Sequence, residues 1–80
     1  MTSVTVEYFA RLREERGCDS ETIETEAKDL LALYEALSEA HGFSLPSASL
    51  LVAVNEQVAA WDSPLNEGDV VVFLPPVAGG

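Results

Sequence analysis

The stretch Asp29-Leu30-Leu31-Ala32-Leu33-Tyr34-Glu35-Ala36-Leu37-Ser38-Glu39-Ala40-His41-Gly42 carries the strongest local signal in the chain. Leu30, Leu33, Tyr34, Leu37 and Ala40 recur at three- and four-residue spacing, which gathers them on one face of an α-helix. Glu35 and Glu39 fall on the opposite, solvated face. Asp29 suits the N-cap, where its carboxylate can accept a backbone N–H. Gly42 supplies the left-handed stop, and His41 sits in the last turn, where a cation suits the helix dipole. Such a helix has one face to bury, so the segments on either side decide the architecture.

Upstream, residues 3–9 alternate as a strand does, with Val4, Val6 and Tyr8 pointing one way and Thr5, Glu7 and Phe9 the other. Residues 11–17 read as a polar connector, and Gly17 followed by Asp19-Ser20 gives it turn chemistry. Residues 22–25 read as a second, half-polar strand, so a hairpin opens the chain. Downstream, 45–49 is a proline-containing loop, 50–54 an apolar strand, Asn55-Glu56-Gln57 a turn and 58–60 a short strand. Residues 61–65 are a loop or a single helical turn, 66–69 a turn, and 70–74 the last strand. Five apolar residues in a row there imply a strand covered on both faces or one carrying an exposed apolar face. The order β-β-α-β-β-β in 80 residues predicts an α+β fold of the β-grasp (ubiquitin-like) kind. Its mixed sheet would have about five strands, the first and last parallel at the centre, with one main helix across one face.

Composition narrows the function. Fourteen acids against four bases leave a net charge of −10, which argues against a nucleic-acid or anionic-membrane surface. The bases are Arg11, Arg13, Arg16 and Lys28; the arginines read as a solvated loop or a dock for an acidic patch. So acidic a domain would be steered to a basic partner, although the charge also fits a salty habitat or plain solubility. One cysteine and one histidine exclude an internal disulfide and a Cys/His metal site. The acids Asp19 and Glu21 beside Cys18 are the opposite of the cationic setting a reactive thiol needs, so it reads as an incidental loop thiol. His41 reads as a cap and Trp61 as packing. No secretory pattern opens the chain and no apolar run approaches the ~20 residues of a membrane span, which makes the cytoplasm the expected compartment.

The end of the chain is the unusual part. Residues 1–74 complete a domain, and Pro75-Pro76-Val77-Ala78-Gly79-Gly80 then follow as an extended, flexible tail with no evident folding use. Two prolines stiffen the exit, and two glycines end it without a Cβ. At roughly 3.3 Å per residue this segment reaches about 20 Å. It reads either as a frayed terminus or as a probe that threads a narrow channel and presents a bare carboxylate. A carboxylate becomes an acyl donor only once its oxygen is made a leaving group, for instance as an acyl-adenylate. The chain has no phosphate-cradling glycine loop, so another protein would have to do this.

In this order, Val6-Glu7-Tyr8-Phe9-Ala10-Arg11-Leu12-Arg13-Glu14, Leu51-Val52-Ala53-Val54-Asn55-Glu56, Leu65-Asn66-Glu67-Gly68-Asp69-Val70-Val71 and Phe73-Leu74-Pro75-Pro76-Val77-Ala78-Gly79-Gly80 resemble the molybdopterin synthase small-subunit (MoaD) family over nearly the whole chain. The resemblance implies a sulfur carrier of molybdenum cofactor biosynthesis with no self-contained active site and no bound cofactor or metal. Gly80 would be adenylated by a ubiquitin-activating-type adenylyltransferase that uses ATP and magnesium. A sulfur donor protein would then convert it to a thiocarboxylate. The synthase large subunit, in a heterotetramer with the carrier, would take the tail and pass the sulfur to cyclic pyranopterin monophosphate. Two transfers build the dithiolene that binds molybdenum or tungsten. Gly79 would be the narrow residue behind the reacting end, and Pro75, Pro76, Val77 and Ala78 the lead-in. The resemblance also implies an apolar docking patch at Phe9, Val58 and Leu74; the residues alone equally allow all three to be core. A thiamine-pathway carrier and a ubiquitin-like protein modifier are the alternatives, since both share the fold and the Gly-Gly end. An acyl carrier is excluded: Asp19-Ser20 is followed by Glu21 rather than leucine, and most segments read as strands.

Overall fold

Helix α2 spans Leu30–His41 and is capped as its sequence dictates. The computed structural model describes residues 1–75. Asp29 accepts a hydrogen bond from the Ala32 N–H at 2.8 Å, and Gly42 closes the helix in the left-handed region at φ 70°. Leu30, Leu33, Tyr34 and Leu37 are buried as their spacing predicts, whereas Ala40 is exposed.

The apolar face of α2 packs on a five-stranded mixed sheet built from β1 (Thr2–Tyr8), β2 (Ser20–Thr25), β3 (Leu51–Val54), β4 (Gln57–Ala59) and β5 (Val70–Leu74). Their spatial order is β2-β1-β5-β3-β4. The first and last strands run parallel at the centre, with Val6 opposite Val71 and Tyr8 opposite Phe73, and the other neighbours pair antiparallel. This is the β-grasp arrangement that the element order predicts. A short 3-10 turn at Ser47–Ser49 leads into β3. The β3–β4 turn is made by Asn55 and Glu56, both at positive φ, the two-residue geometry whose twist matches a hairpin.

One element departs from the sequence reading. The expected polar connector at 11–17 is helix α1, Ala10–Arg16, so the observed order is β-α-β-α-β-β-β. The helix has one apolar anchor, Leu12, which is fully buried. One anchor leaves no period to detect, although arginine and glutamate are good helix formers. Gly17 ends α1 in the left-handed region at φ 85°, its N–H bonded to the Arg13 carbonyl at 2.9 Å.

The core lies between the sheet and α2. Val4, Val6, Tyr8, Val52, Val71 and Phe73 meet Leu30, Leu33, Tyr34 and Leu37 there. Burying a valine or phenylalanine side chain contributes about 1.5–3 kcal/mol, so this layer supplies most of the folding drive. Trp61 is packing, as expected: its ring stacks on Phe73 at 5.9 Å and meets Tyr34 edge-on at 5.9 Å.

Candidate functional site

Among the described residues no helix lies on the opposite face of the sheet, and its two halves differ in kind. On β1 and β2 the outward positions are Ser3, Thr5, Glu7, Ser20, Thr22 and Glu24. On β5, β3 and β4 they are Val70, Val72, Leu74, Leu51, Ala53 and Val58. The apolar last strand therefore carries an exposed apolar face rather than being covered on both sides.

Register arranges these side chains in rows. Leu74 pairs with Leu51, and Phe9 follows the Tyr8–Phe73 pair by one residue, which sets it beside Leu74. Phe9, Leu74 and Leu51 thus form one row across β1, β5 and β3. One pleat repeat away, roughly 7 Å, lies the row Glu7, Val72, Ala53, Val58. Phe9 is 44% exposed, Leu51 59% and Val58 70%, while Leu74 is half-buried. All three sequence-read patch residues are on this face, and none of them is core.

Leu51 is the member that sequence reasoning missed. It sits second in the run Leu50-Leu51-Val52-Ala53-Val54, where no polar residue marks which positions face out. Its pairing with Leu74 is the informative signal, and that contact spans the β3–β5 separation.

Phe9 is held in place by its neighbours. The residue before it, Tyr8, and the anchor Leu12 after it are both buried. Between them Phe9 is extended and Ala10 takes φ 52°, a left-handed conformation that costs a non-glycine residue roughly 1 kcal/mol. The reversal at Ala10 returns the chain to the core and leaves the Phe9 ring outside.

The row Phe9–Leu74–Leu51 lies where the chain leaves the sheet, since Pro75, half-buried, directly follows Leu74. The tail residues Pro76, Val77, Ala78, Gly79 and Gly80 lie outside the described residues.

Other chemistry-bearing groups are engaged in the fold. Arg16 grips Glu21 with two hydrogen bonds, Nε at 2.9 Å and Nη2 at 2.7 Å, and the Tyr8 hydroxyl donates to the same carboxylate at 2.6 Å. The Arg16 hydrogen bonds hold the Glu21 carboxyl below the usual carboxylate range, and burial is the main cause that raises the Tyr8 phenol. Arg13 makes a long, exposed contact with Asp19 at 3.7 Å. Ser44 donates from its backbone N–H and hydroxyl to Glu15, which lowers that carboxyl too. Cys18 is half-buried against the core. Among the described residues no group of three or more His, Cys, Asp or Glu is arranged to hold a metal ion, and no helix is long and apolar enough to cross a membrane.

Comparison with known proteins places this geometry. The ThiS family matches residues 6–80. The molybdopterin synthase sulfur carrier subunit of Escherichia coli is 36% identical over 80 residues, covering 96% of this chain and 99% of its own. A protein described as molybdopterin converting factor, subunit 1, from Pyrococcus furiosus has a similar solved structure, with TM-score 0.79 and 33% identity over 96% of this chain and all of that one. A third structure, a protein–protein complex of subunits 1 and 2 of the molybdopterin-converting factor from Helicobacter pylori, matches with TM-score 0.69 and 31% identity over 99% of this chain. The chain belongs to the ThiS family and, among its members, to the kind represented by the molybdopterin synthase sulfur carrier subunits.

Proposed function

We propose that this chain is the sulfur-carrying small subunit of a molybdopterin synthase, with its own C-terminus as the reacting group. The observation that carries the reading is the uncovered apolar row Phe9–Leu74–Leu51, which ends where the Pro-Pro-Val-Ala-Gly-Gly segment begins. A partner seated on that row lies next to the start of the segment whose end would react. The near-full-length sulfur carrier relatives support the chemistry, and the Helicobacter pylori complex supports a large subunit as the partner.

The chemistry runs through Gly80. A ubiquitin-activating-type adenylyltransferase supplies ATP and magnesium; the Gly80 carboxylate attacks the α-phosphorus and pyrophosphate leaves. Hydrosulfide released by a sulfur donor protein then adds to the acyl carbon, and AMP departs to leave the thiocarboxylate. Gly79, without a side chain, suits passage through a narrow channel, and Pro75, Pro76, Val77 and Ala78 are the lead-in to it. In the large subunit, within a cytoplasmic heterotetramer, the thiocarboxylate sulfur bonds to cyclic pyranopterin monophosphate, and water cleaves the acyl C–S bond to return the Gly80 carboxylate. Phe9, Leu74, Val58 and Leu51 form the docking patch.

Intact mass after incubation with ATP, magnesium, a molybdopterin-type activating enzyme and a sulfide source tests this reading. The expected result is replacement of one oxygen by sulfur, localised to the C-terminal peptide. Localisation is needed because oxidation of Met1 or Cys18 adds nearly the same mass. Modification only by a thiamine-pathway activator would assign the carrier to that pathway. No modification by either would remove the carrier function.

A further inference from the structure

Beyond the Phe9–Leu74–Leu51 row, the open face continues as an apolar strip in a different electrostatic setting. Val70 and Val72 floor a shallow hollow of about 380 Å³, walled by Glu7 on β1 and by Asn55 and Glu56 at the β3–β4 turn. That turn is anchored. The Asn55 N–H donates to the Val70 carbonyl and the Asn55 Oδ1 accepts from the Val70 N–H, both at 2.9 Å. The Asn55 Nδ2 also donates to the buried Asp69 carboxylate at 3.0 Å. Glu56, at φ 74°, therefore stands on a fixed support. Neither Glu7 nor Glu56 belongs to an ion pair among the described residues; both ion pairs there use arginines of α1. Towards the other end of the face Arg13 lies beside Phe9 with Asp19 and Ser20, and Glu7 stands between the two ends, opposite Val72. The turn end thus presents carboxylates that belong to no ion pair among the described residues, whereas at the end where the chain leaves Arg13 is paired with Asp19 at 3.7 Å.

We propose that the Val70–Val72 strip extends the docking surface and fits a partner that presents a lysine or arginine here. The aliphatic stem of that residue lies on the two valines, and its charged head meets Glu7 and Glu56. A long basic side chain is amphipathic in this sense, and an apolar floor with carboxylate walls is complementary to it. The inference rests on the docking reading above, and the occupant is the synthase large subunit. It also gives the contact a direction. An apolar patch alone would allow the carrier to sit in either sense along β5, but turning it end for end would set the partner's cation against the Arg13–Asp19 pair instead of the Glu7 and Glu56 carboxylates. It would also carry the exit of the chain to the wrong side.

The test is binding of the full chain to its cognate large subunit, with Glu7→Gln and Glu56→Gln combined, at roughly 50 and 500 mM salt. The expected result at low salt is an affinity about 5- to 30-fold below wild type, with the gap largely closed at high salt. Glu56→Gln alone, at an exposed turn, should show part of the same loss and guards against misfolding of the double variant. Wild-type affinity and salt dependence in both variants, while Phe9→Lys still blocks binding, would overturn the inference and leave the docking reading standing. If Phe9→Lys binds normally as well, the docking reading falls with it. Weakening confined to the activating enzyme would also overturn the inference, because the occupant would then be a different protein.

Discussion

The two faces of one sheet are made of similar residues in alternate positions, yet they meet different fates. Along β5, Val71 and Phe73 are fully buried under α2, while their neighbours Val70, Val72 and Leu74 look outward with no element above them. Along β3, Val52 is buried and Leu51 is 59% exposed. The apolar character of the inner face is explained by folding, because a face under a helix must exclude water. That of the outer face is not, since an uncovered leucine or valine gains little from the fold. The polar half of the same outer face, on β1 and β2, shows that the sheet does not need apolar residues there. A contiguous apolar surface where the chain leaves the sheet is what a transient partner needs.

The largest expected effect contrasts the two faces directly. Phe73→Ala removes a ring that contacts Tyr34 at 5.0 Å and Trp61 at 5.9 Å, and it should cost about 3–5 kcal/mol. That is a large share of the roughly 4–12 kcal/mol a domain of this size holds. Leu51→Ala, on the other side of the sheet, should change stability by less than about 0.5 kcal/mol while weakening the large-subunit complex. Urea unfolding of both variants measures the contrast; a loss of several kcal/mol for Leu51→Ala would make that residue core and break the comparison.

Next in size is Phe9→Lys. With Tyr8 and Leu12 still buried on either side, the fold should persist and circular dichroism should match wild type. Binding to the large subunit should fall by roughly 30-fold or more if the ring is a central anchor. An unfolded variant would place Phe9 among the core residues instead.

How much of this was legible in the sequence differs by element for physical reasons. Helix α2 was readable because both caps and five apolar positions at helical spacing lie within one short segment. Phe9 was readable because alternation along β1 separates it from Val4 and Val6. Helix α1 was not, because Leu12 alone cannot define a period. Leu51 was not, because an unbroken apolar run hides its own alternation until pairing with Leu74 reveals which side faces out. The Glu21 cluster and the Glu7–Glu56 hollow depend on contacts between strands and turns distant in sequence, which no local pattern encodes. The roles given to Pro76, Val77, Ala78, Gly79 and Gly80 rest on sequence and resemblance alone.

The smallest expected effect concerns the corner where the inner face is closed by charge instead of hydrocarbon. Glu21 stands on β2 opposite Val6 and binds both Arg16 and the Tyr8 hydroxyl. Its carboxyl is held below the ordinary value of 4.5 in the folded protein, chiefly by the Arg16 hydrogen bonds. The unfolded chain therefore takes up the proton first as pH falls. The stability this group contributes is present above about pH 4.5 and is lost as pH drops through the folded value. Tyr8 works in the other direction: its phenol is raised above 10.0, so the unfolded chain releases the proton first and stability falls as pH rises past 10. Because burial is the larger cause for Tyr8 and Arg16 pairing the larger cause for Glu21, one substitution separates them. Glu21→Gln should flatten the acid limb of a stability–pH curve and leave most of the alkaline limb in place. If it flattens both limbs equally, the Tyr8 phenol is controlled by Glu21 rather than by burial, and the corner is a single titrating unit.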